Sequence, residues 1–169
     1  LAAPEAVFVY SSTNKVYGAL EHLPRKETPL RYLLTEKKRG ISEKEPLDFH
    51  SPYGNSKGAA DQYTRDYHRI YGIKTVVFRQ SCIYGEHQRG TEDQGWVAYF
   101  MIRGILGQSL TVYGNGKQVR DILHINDLVH AYLLATEKIE KVQGHIYNIG
   151  GGIENTFSLL EMLEFLETL

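Results

Sequence analysis

The amino-acid sequence predicts an α/β fold built around a parallel β-sheet. Short apolar runs rich in β-branched and aromatic residues alternate with longer segments of helical apolar spacing. This alternation is typical of parallel sheets flanked by helices. Of the 169 residues, 42% are hydrophobic and 23% charged, which is the balance of a globular protein. We therefore expect one domain of ordinary size with a sizeable core.

The strands are predicted from the short apolar runs. The first is expected over residues 6–11, because its β-branched and aromatic residues are typical of a buried parallel strand. The glycines on either side of Asn115 predict a turn that closes a later strand. The later strands are expected over residues 74–79, 110–113 and 146–149.

The longest helix is predicted to begin at Ser51 and Pro52. Serine is a favoured cap and proline is tolerated in the first helical turn. This helix is expected to run to about residue 71 and to stop at Gly72. Further helices are predicted for residues 96–106, for residues 126–140 with Asn126 as cap, and from about residue 156 to the end of the chain.

Two polar segments are predicted as loops. Residues 21–52 contain four of the five prolines, and we interpret them as a loop over an active site, since loops this long are usually functional or disordered. The first part of residues 31–38 is expected to form a short helix within it. Residues 85–95 are the second predicted loop.

Composition excludes several classes of protein. The formal net charge is -1, so charge gives no reason to expect a nucleic-acid partner. No apolar run is long enough to span a bilayer, and no signal peptide is recognisable. The one cysteine, Cys82, cannot form an intrachain disulfide, and no group of histidines and cysteines has metal-ligand spacing. We expect a cytoplasmic protein without a metal site.

Tyr53 and Lys57 form the first candidate for chemistry. Residues four apart on a helix share a face, and a phenol with a pKa of about 10 is a poor base at neutral pH. A nearby ammonium stabilises the phenolate, which makes tyrosine a usable proton-transfer group. The alternative is an ordinary exposed helix pair, and the spacing alone leaves both interpretations open.

Residues 10–18, which read Tyr-Ser-Ser-Thr-Asn-Lys-Val-Tyr-Gly, form the second candidate. They follow the first predicted strand, and ligands of open α/β sheets bind beyond the carboxyl ends of the strands. A hydroxyl such as that of Thr13 could hydrogen-bond a sugar oxygen there. An ordinary Ser/Thr turn is the alternative.

Together, these two motifs resemble the extended short-chain dehydrogenases. A strand ending in Ser-Ser-Thr-x-x-Val-Tyr-Gly is followed by a helix that opens with Tyr-x-x-x-Lys. Three further segments are similar to later parts of the same family. They are residues 79–85, residues 110–116 with 120–127, and residues 147–150.

The resemblance implies an NAD-dependent enzyme that acts on a nucleotide sugar, on a Rossmann-like sheet with a small nucleotide-sugar-binding subdomain. Thr13, Tyr53 and Lys57 would be the catalytic triad. The implied cofactor-binding residues are Ser11, Ser12, Tyr53, Lys57, Gln80 and Ser81. The implied substrate-binding residues are Asn14, Cys82, Gln94, Gly95, Trp96, Thr111, Val112, Tyr113 and Arg120.

Arg120 is also a candidate on physical grounds. A guanidinium suits phosphate oxygens in geometry and in permanent charge. A salt bridge to Asp121 or Asp127 would explain the same residue equally well, so its spacing alone decides nothing.

The sequence departs from the family at one important point. The family's Gly-x-x-Gly-x-x-Gly pyrophosphate turn occurs nowhere in the chain. We therefore expect a fragment that lacks the first βαβ units, binds NAD weakly and is inactive by itself. Residues 1–82 and 124–150 would belong to the Rossmann part, and residues 83–123 and 151–169 would bind substrate.

Within the family, the motifs are most similar to 2-epimerases that act on CDP-sugars, the CDP-paratose (CDP-tyvelose) type. Family dehydratases carry an acidic pair after the threonine, whereas Asn14 and Lys15 stand here. Cys82 stands where 4-epimerases often place an asparagine. A UDP-sugar 4-epimerase and a non-catalytic nucleotide-sugar-binding remnant remain the alternatives.

The family resemblance also implies a homodimer. Its members usually associate through a helix bundle to which the Tyr53 helix contributes. The face that carries Ala59, Tyr63, Tyr67 and Ile70 is the candidate surface, and plain core packing of this face is the alternative.

Overall fold

The structure is a computed structural model that describes residues 3, 5–36 and 39–168. Its strands are β1 (Phe8–Thr13), β2 (Arg25–Glu27), β3 (Tyr32–Leu34), β4 (Thr75–Gln80), β5 (Cys82–Tyr84), β6 (Val119–His124), β7 (His145–Ile149) and β8 (Thr156–Ser158). Its α-helices are α1 (Ser51–Tyr71), α2 (Trp96–Ile105), α3 (Ile125–Glu137), α4 (Ile139–Val142) and α5 (Leu159–Leu166). Short 3-10 helices cover Asn14–Tyr17 and Ile153–Asn155.

The first of two compact units comprises Leu1–Glu21, Ile41–Ser81 and Asn126–Ile149. Its sheet has the order β1-β4-β7, and both pairs of neighbours are parallel. The predicted parallel α/β fold is therefore confirmed. Its apolar core is built from residues of β4, α3 and α4, namely Val76, Phe78, Ala135 and Ile139.

Helix α1 follows the predicted signals closely. Pro52 lies in the first turn, and the Ser51 hydroxyl accepts a hydrogen bond from the Gly54 amide at 3.2 Å. The helix ends at Gly72, whose φ of 66° is left-handed and therefore favours glycine. Gly58 brings the helix close to the preceding loop, because an added Cβ would lie 2.3 Å from the Phe49 ring.

The second unit comprises His22–Gly40, Cys82–Ile125 and Gly150–Leu169. Strand β6 pairs in parallel with β5 and antiparallel with β8, and β2 and β3 form an antiparallel hairpin. Helices α2 and α5 contribute to the core of this unit, which contains Val97, Phe100, Ile122 and Met162.

The predicted short helix within residues 31–38 is wrong. Tyr32–Leu34 is strand β3, paired with Arg25–Glu27, while Lys37 and Lys38 lie outside the described residues. Contacts distant in sequence hold this hairpin in the second unit: Arg31 forms an ion pair with Glu161 at 3.1 Å. Such contacts override a weak local helix preference.

The strand predicted for residues 110–113 is also wrong, since these residues join no ladder, although the turn after them is confirmed. Strands β5, β6 and β8 were not predicted. The helix predicted for 126–140 ends at Glu137, and a separate short helix, α4, follows it. The last helix begins at Leu159, because Ser158 forms a capping box with Glu161.

The described residues include neither a membrane-spanning helix nor a cluster of metal ligands. None of the described helices has both the length and the apolarity that a membrane crossing requires. The same part of the chain holds no group of three or more histidine, cysteine, aspartate or glutamate side chains arranged to bind a metal ion.

Candidate active site

The carboxyl ends of the three parallel strands bring predicted residues together. Thr13 at the end of β1 lies opposite Gln80 at the end of β4, and Gln80 lies opposite Ile149 at the end of β7. The Ser81 amide donates a hydrogen bond to the Ile149 carbonyl at 2.9 Å. This is the edge at which open α/β sheets bind ligands.

Tyr53 and Lys57 lie one turn apart near the start of α1. The Tyr53 side chain is half-exposed at 51%, which leaves its hydroxyl available to a substrate. The Lys57 ammonium donates to the Ser11 carbonyl at 2.8 Å and lies 5.3 Å from the centre of the Tyr10 ring. Lys57 therefore connects the helix to β1.

Thr13 is buried, and its hydroxyl oxygen accepts a hydrogen bond from the Lys15 amide at 3.3 Å. It thereby caps the 3-10 helix that begins at Asn14. A Cβ added to Gly54 would lie 3.6 Å from the Lys15 carbonyl oxygen. The first turn of α1, which carries Tyr53, is thus adjacent to the turn that Thr13 caps.

Ser12 points into a buried polar network that the sequence did not predict. Its hydroxyl donates to Oδ2 of Asp61 on α1 at 2.7 Å, and both side chains are buried. Arg79 on β4 donates to both carboxylate oxygens of Asp61, each at 2.9 Å. Two parallel hydrogen bonds of this kind are the strongest form of an ion pair between arginine and a carboxylate.

The network extends across the sheet to β7. Arg79 also donates to the Tyr17 hydroxyl at 3.0 Å, and that hydroxyl donates to Oδ1 of Asn148 at 2.7 Å. Burial raises the pKa of Tyr17 above its ordinary value. Burial lowers the pKa of Arg79, but its hydrogen bonds with Asp61 and Tyr17 outweigh this effect and hold its pKa above the ordinary value.

Two sequence signals could have revealed this network. Asp61 stands four residues after Lys57, so it continues the face of α1 that carries the candidate residues. Arg79 is a charged residue directly after the apolar run of residues 76–78. Buried charges of this kind are paired in folded proteins.

Gln80 is engaged within the protein on the side of the sheet that packs against α3. Its amide nitrogen donates to the Tyr132 hydroxyl at 2.7 Å, and the Tyr132 ring packs edge-on against Phe78 at 5.2 Å. Gln80 is buried and Ser81 is half-buried.

In the second unit, the predicted substrate residue Tyr113 is exposed. It is 65% exposed, and its hydroxyl donates to Oε1 of Glu92 at 2.5 Å. This hydrogen bond with Glu92 raises the pKa of Tyr113 above its ordinary value. The half-buried guanidinium of Arg120 donates to the Val119 carbonyl at 3.0 Å.

Trp96 packs into the core of the second unit, with its ring edge-on to Phe100 at 5.7 Å. Its indole nitrogen is buried without a hydrogen-bond partner among the described residues. Gly95, with φ 69°, occupies the cap position of α2. The remaining predicted residues are Asn14 and Cys82, both half-buried, exposed Gln94 and Thr111, and half-buried Val112.

The sequence of this chain is similar to those of known proteins. Residues 2–150 match the NAD dependent epimerase/dehydratase family. The chain is 51% identical over 164 residues to the CDP-paratose 2-epimerase of Salmonella typhi, covering 94% of this chain and 48% of that protein. It is 31% identical over 150 residues to a putative UDP-glucose 4-epimerase of Methanocaldococcus jannaschii, covering 89% and 43%.

A solved structure gives the same picture. The dTDP-glucose 4,6-dehydratase of Bacillus anthracis in complex with NAD superposes with a TM-score of 0.73 at 31% identity, covering 95% of this chain and 44% of that one. The chain therefore spans about half the length of the relatives it matches.

Proposed function

The chain belongs to the NAD dependent epimerase/dehydratase family, and from this premise we propose that the natural protein containing it epimerises a nucleotide sugar, at C2 of a CDP-sugar. The proposal is supported by the position of Thr13 at the carboxyl end of β1 and by the hydrogen bond from Lys57, one turn after Tyr53 on α1, to the Ser11 carbonyl. The 51% identity to a CDP-paratose 2-epimerase supports the substrate and the position of reaction.

In this proposal Tyr53 moves the proton. The phenolate oxygen of this half-exposed residue takes the proton of the sugar hydroxyl and later returns it. The ammonium of Lys57, one turn away, favours the phenolate form that this step requires. The hydroxyl of Thr13 binds the same sugar oxygen and stabilises its developing charge.

The residues at the sheet edge fit the nicotinamide-ribose end of NAD. Lys57 offers a cation at the carboxyl edge, and the exposed Tyr53 hydroxyl lies one turn before it. Bound NAD would supply a reversible hydride acceptor for the sugar carbon, so the sugar would undergo no net oxidation. Residues for the pyrophosphate are not apparent in this sequence, which has no Gly-x-x-Gly-x-x-Gly.

Asn14 and Lys15 favour epimerisation over dehydration. Elimination of water needs a general acid and a general base beside the reacting carbons. An amide cannot act as a carboxylate, and the Lys15 side chain is exposed. With no acidic pair at these positions, the keto-sugar keeps its hydroxyls.

The second unit supplies the proposed contacts to the nucleotide. Arg120 would pair with a phosphate through charge and geometry. The segment that contains Thr111, Val112 and Tyr113 would flank the pyrimidine. The open ring of Tyr113, anchored through its hydroxyl by Glu92, is suited to stacking against a base.

The proposal is tested with CDP-paratose and UDP-glucose in D₂O, using the natural protein that contains this chain and added NAD. Inversion at C2 of CDP-paratose should be seen by NMR, with no deuterium at C2 because the hydride is returned internally. Inversion of UDP-glucose at C4 instead would support the 4-epimerase alternative. Deuterium at the inverted carbon would exclude the hydride mechanism, and no turnover of either sugar would support a binding-only role.

We also propose that this protein forms a homodimer through α1. Tyr63 and Ile70 are each 68% exposed and Tyr67 is 51% exposed, so this face is not packed into the core formed by the described residues. Light scattering should give twice the mass of one chain, and the double change Tyr63→Glu with Ile70→Glu should halve that mass. A monomeric unsubstituted protein would contradict the proposal.

A further inference from the structure

Asp61 and Arg79 are two buried charged groups that the proposed chemistry leaves unused. Asp61 is fully buried and Arg79 is 3% exposed. Their partner Ser12 lies between Ser11 and Thr13 in the sequence. The Ser11 carbonyl accepts a hydrogen bond from the Lys57 ammonium. The network is therefore adjacent to the residues assigned to the reaction.

The spacing of these contacts determines how α1 lies on β1. Lys57 and Asp61 are one turn apart on the helix, and they contact Ser11 and Ser12, which are neighbours on the strand. Two successive contacts of this kind fix both the sliding and the rotation of the helix relative to the strand. Tyr53, one turn before Lys57 on the same helix, is thereby held relative to Thr13.

Arg79 makes this attachment rigid. It lies opposite Ser12 in the β1–β4 register and opposite Asn148 in the β4–β7 register. Its two hydrogen bonds fix the Asp61 carboxylate in one orientation, and its third reaches the Tyr17 hydroxyl. A buried network with satisfied partners holds a single geometry.

The Ser12 hydroxyl is already committed to this network. A hydroxyl has one proton to donate, and that of Ser12 goes to Asp61 at 2.7 Å from a side chain that is 4% exposed. An acceptor atom of a bound cofactor could take the Ser12 proton only by breaking a charge-assisted hydrogen bond inside the protein, which is unfavourable.

We propose that Ser12, Asp61 and Arg79 form a positioning network that aligns Tyr53 with Thr13, and that Ser12 serves this network and does not bind the cofactor. The inference rests on the proposed function for its catalytic consequence. Small displacements of reacting groups lower rates by up to about 100-fold. Loss of the Ser12 hydroxyl should therefore lower kcat and leave binding intact.

The test compares three variants of the natural protein that contains this chain. Ser12→Ala removes the hydroxyl and Ser12→Thr retains it. Thr64→Ala is the matched control, since Thr64 is also buried but donates only to the Ala60 carbonyl within α1. We expect Ser12→Ala to lower kcat by about 10- to 100-fold, with unchanged KM for the nucleotide sugar and unchanged bound NAD. Ser12→Thr should recover most of the rate.

Two results would overturn the inference: loss of bound NAD in Ser12→Ala with kcat intact at saturating NAD, or a kcat equal to that of Thr64→Ala. If the unsubstituted protein has no turnover, the proposed function fails and the network is judged separately. The Lys15 amide donates to Thr13. Its ¹H–¹⁵N signal should then shift in the spectrum of Ser12→Ala and keep its position in that of Thr64→Ala. An unmoved Lys15 signal in Ser12→Ala would refute the positioning role.

Discussion

Replacing Tyr53 by phenylalanine is expected to lower kcat by at least about 100-fold, because a general acid-base group typically contributes 100- to 10,000-fold in rate. The substitution removes one hydroxyl from a half-exposed ring and leaves the ring in place. Nucleotide-sugar affinity should therefore change little. Steady-state kinetics of the natural protein that contains this chain, combined with direct binding measurements, would separate the two effects.

Two further variants make the assignment of Tyr53 specific. Tyr63→Phe removes a hydroxyl from a more exposed tyrosine on the same helix and should leave kcat unchanged. Arg120→Ala should instead weaken nucleotide-sugar binding by roughly 1.5–3 kcal/mol, the value of a hydrogen bond to a charged group. A Tyr53→Phe enzyme that works at the unsubstituted rate would rule out the proton-transfer role.

Replacing Asp61 by alanine is expected to destabilise the chain by about 3–5 kcal/mol. The change leaves the Arg79 guanidinium buried without its carboxylate, and it also removes the acceptor of the Ser12 hydroxyl. An uncompensated buried charge is far more costly than a lost hydrogen bond between neutral groups. Urea unfolding of the 169-residue chain measures the loss.

Helix α1 also supplies the control for this prediction. Asp66 and Arg69 form an ion pair at 3.0 Å with both side chains 52% exposed, so Asp66→Ala should cost less than about 1 kcal/mol. The double change Asp61→Leu with Arg79→Met should cost less than Asp61→Ala alone, because neither charge is left unpaired. If Asp61→Ala and Asp66→Ala lowered the free energy of unfolding equally, the buried pair would contribute no more to stability than the exposed pair.

The parallel sheet and its edge were predictable because their signals are local. Each of the strands β1, β4 and β7, which form the parallel sheet, contains a short run of β-branched and aromatic residues. This composition is typical of buried parallel strands. Tyr53 and Lys57 were found from their spacing and from the resemblance to a family. Their roles, and those of Thr13 and Arg120, remain predictions that the kinetics above would test.

The elements that were missed depend on contacts between distant residues. Strand β6 contains Arg120 and Asp121, and its apolar and polar residues alternate only weakly. It forms a strand because β5 and β8 pair with it. The hairpin of β2 and β3 is held by Arg31 and by Lys117, whose ammonium donates to Glu27 at 2.6 Å. The Asp61–Arg79 pair joins residues eighteen apart. No window of local periodicity contains such partners.

The position of β1 in the sheet has a consequence for handling the protein. Among the described residues β1 pairs only with β4, so its other side has no strand partner, although the Ser11 carbonyl accepts a hydrogen bond from Lys57. Phe8 on this strand is 52% exposed, and no charged residue interrupts β1. Open apolar edges of this kind recruit further strands and promote aggregation. Concentrated solutions of the chain alone are therefore expected to lose protein to intermolecular β-pairing.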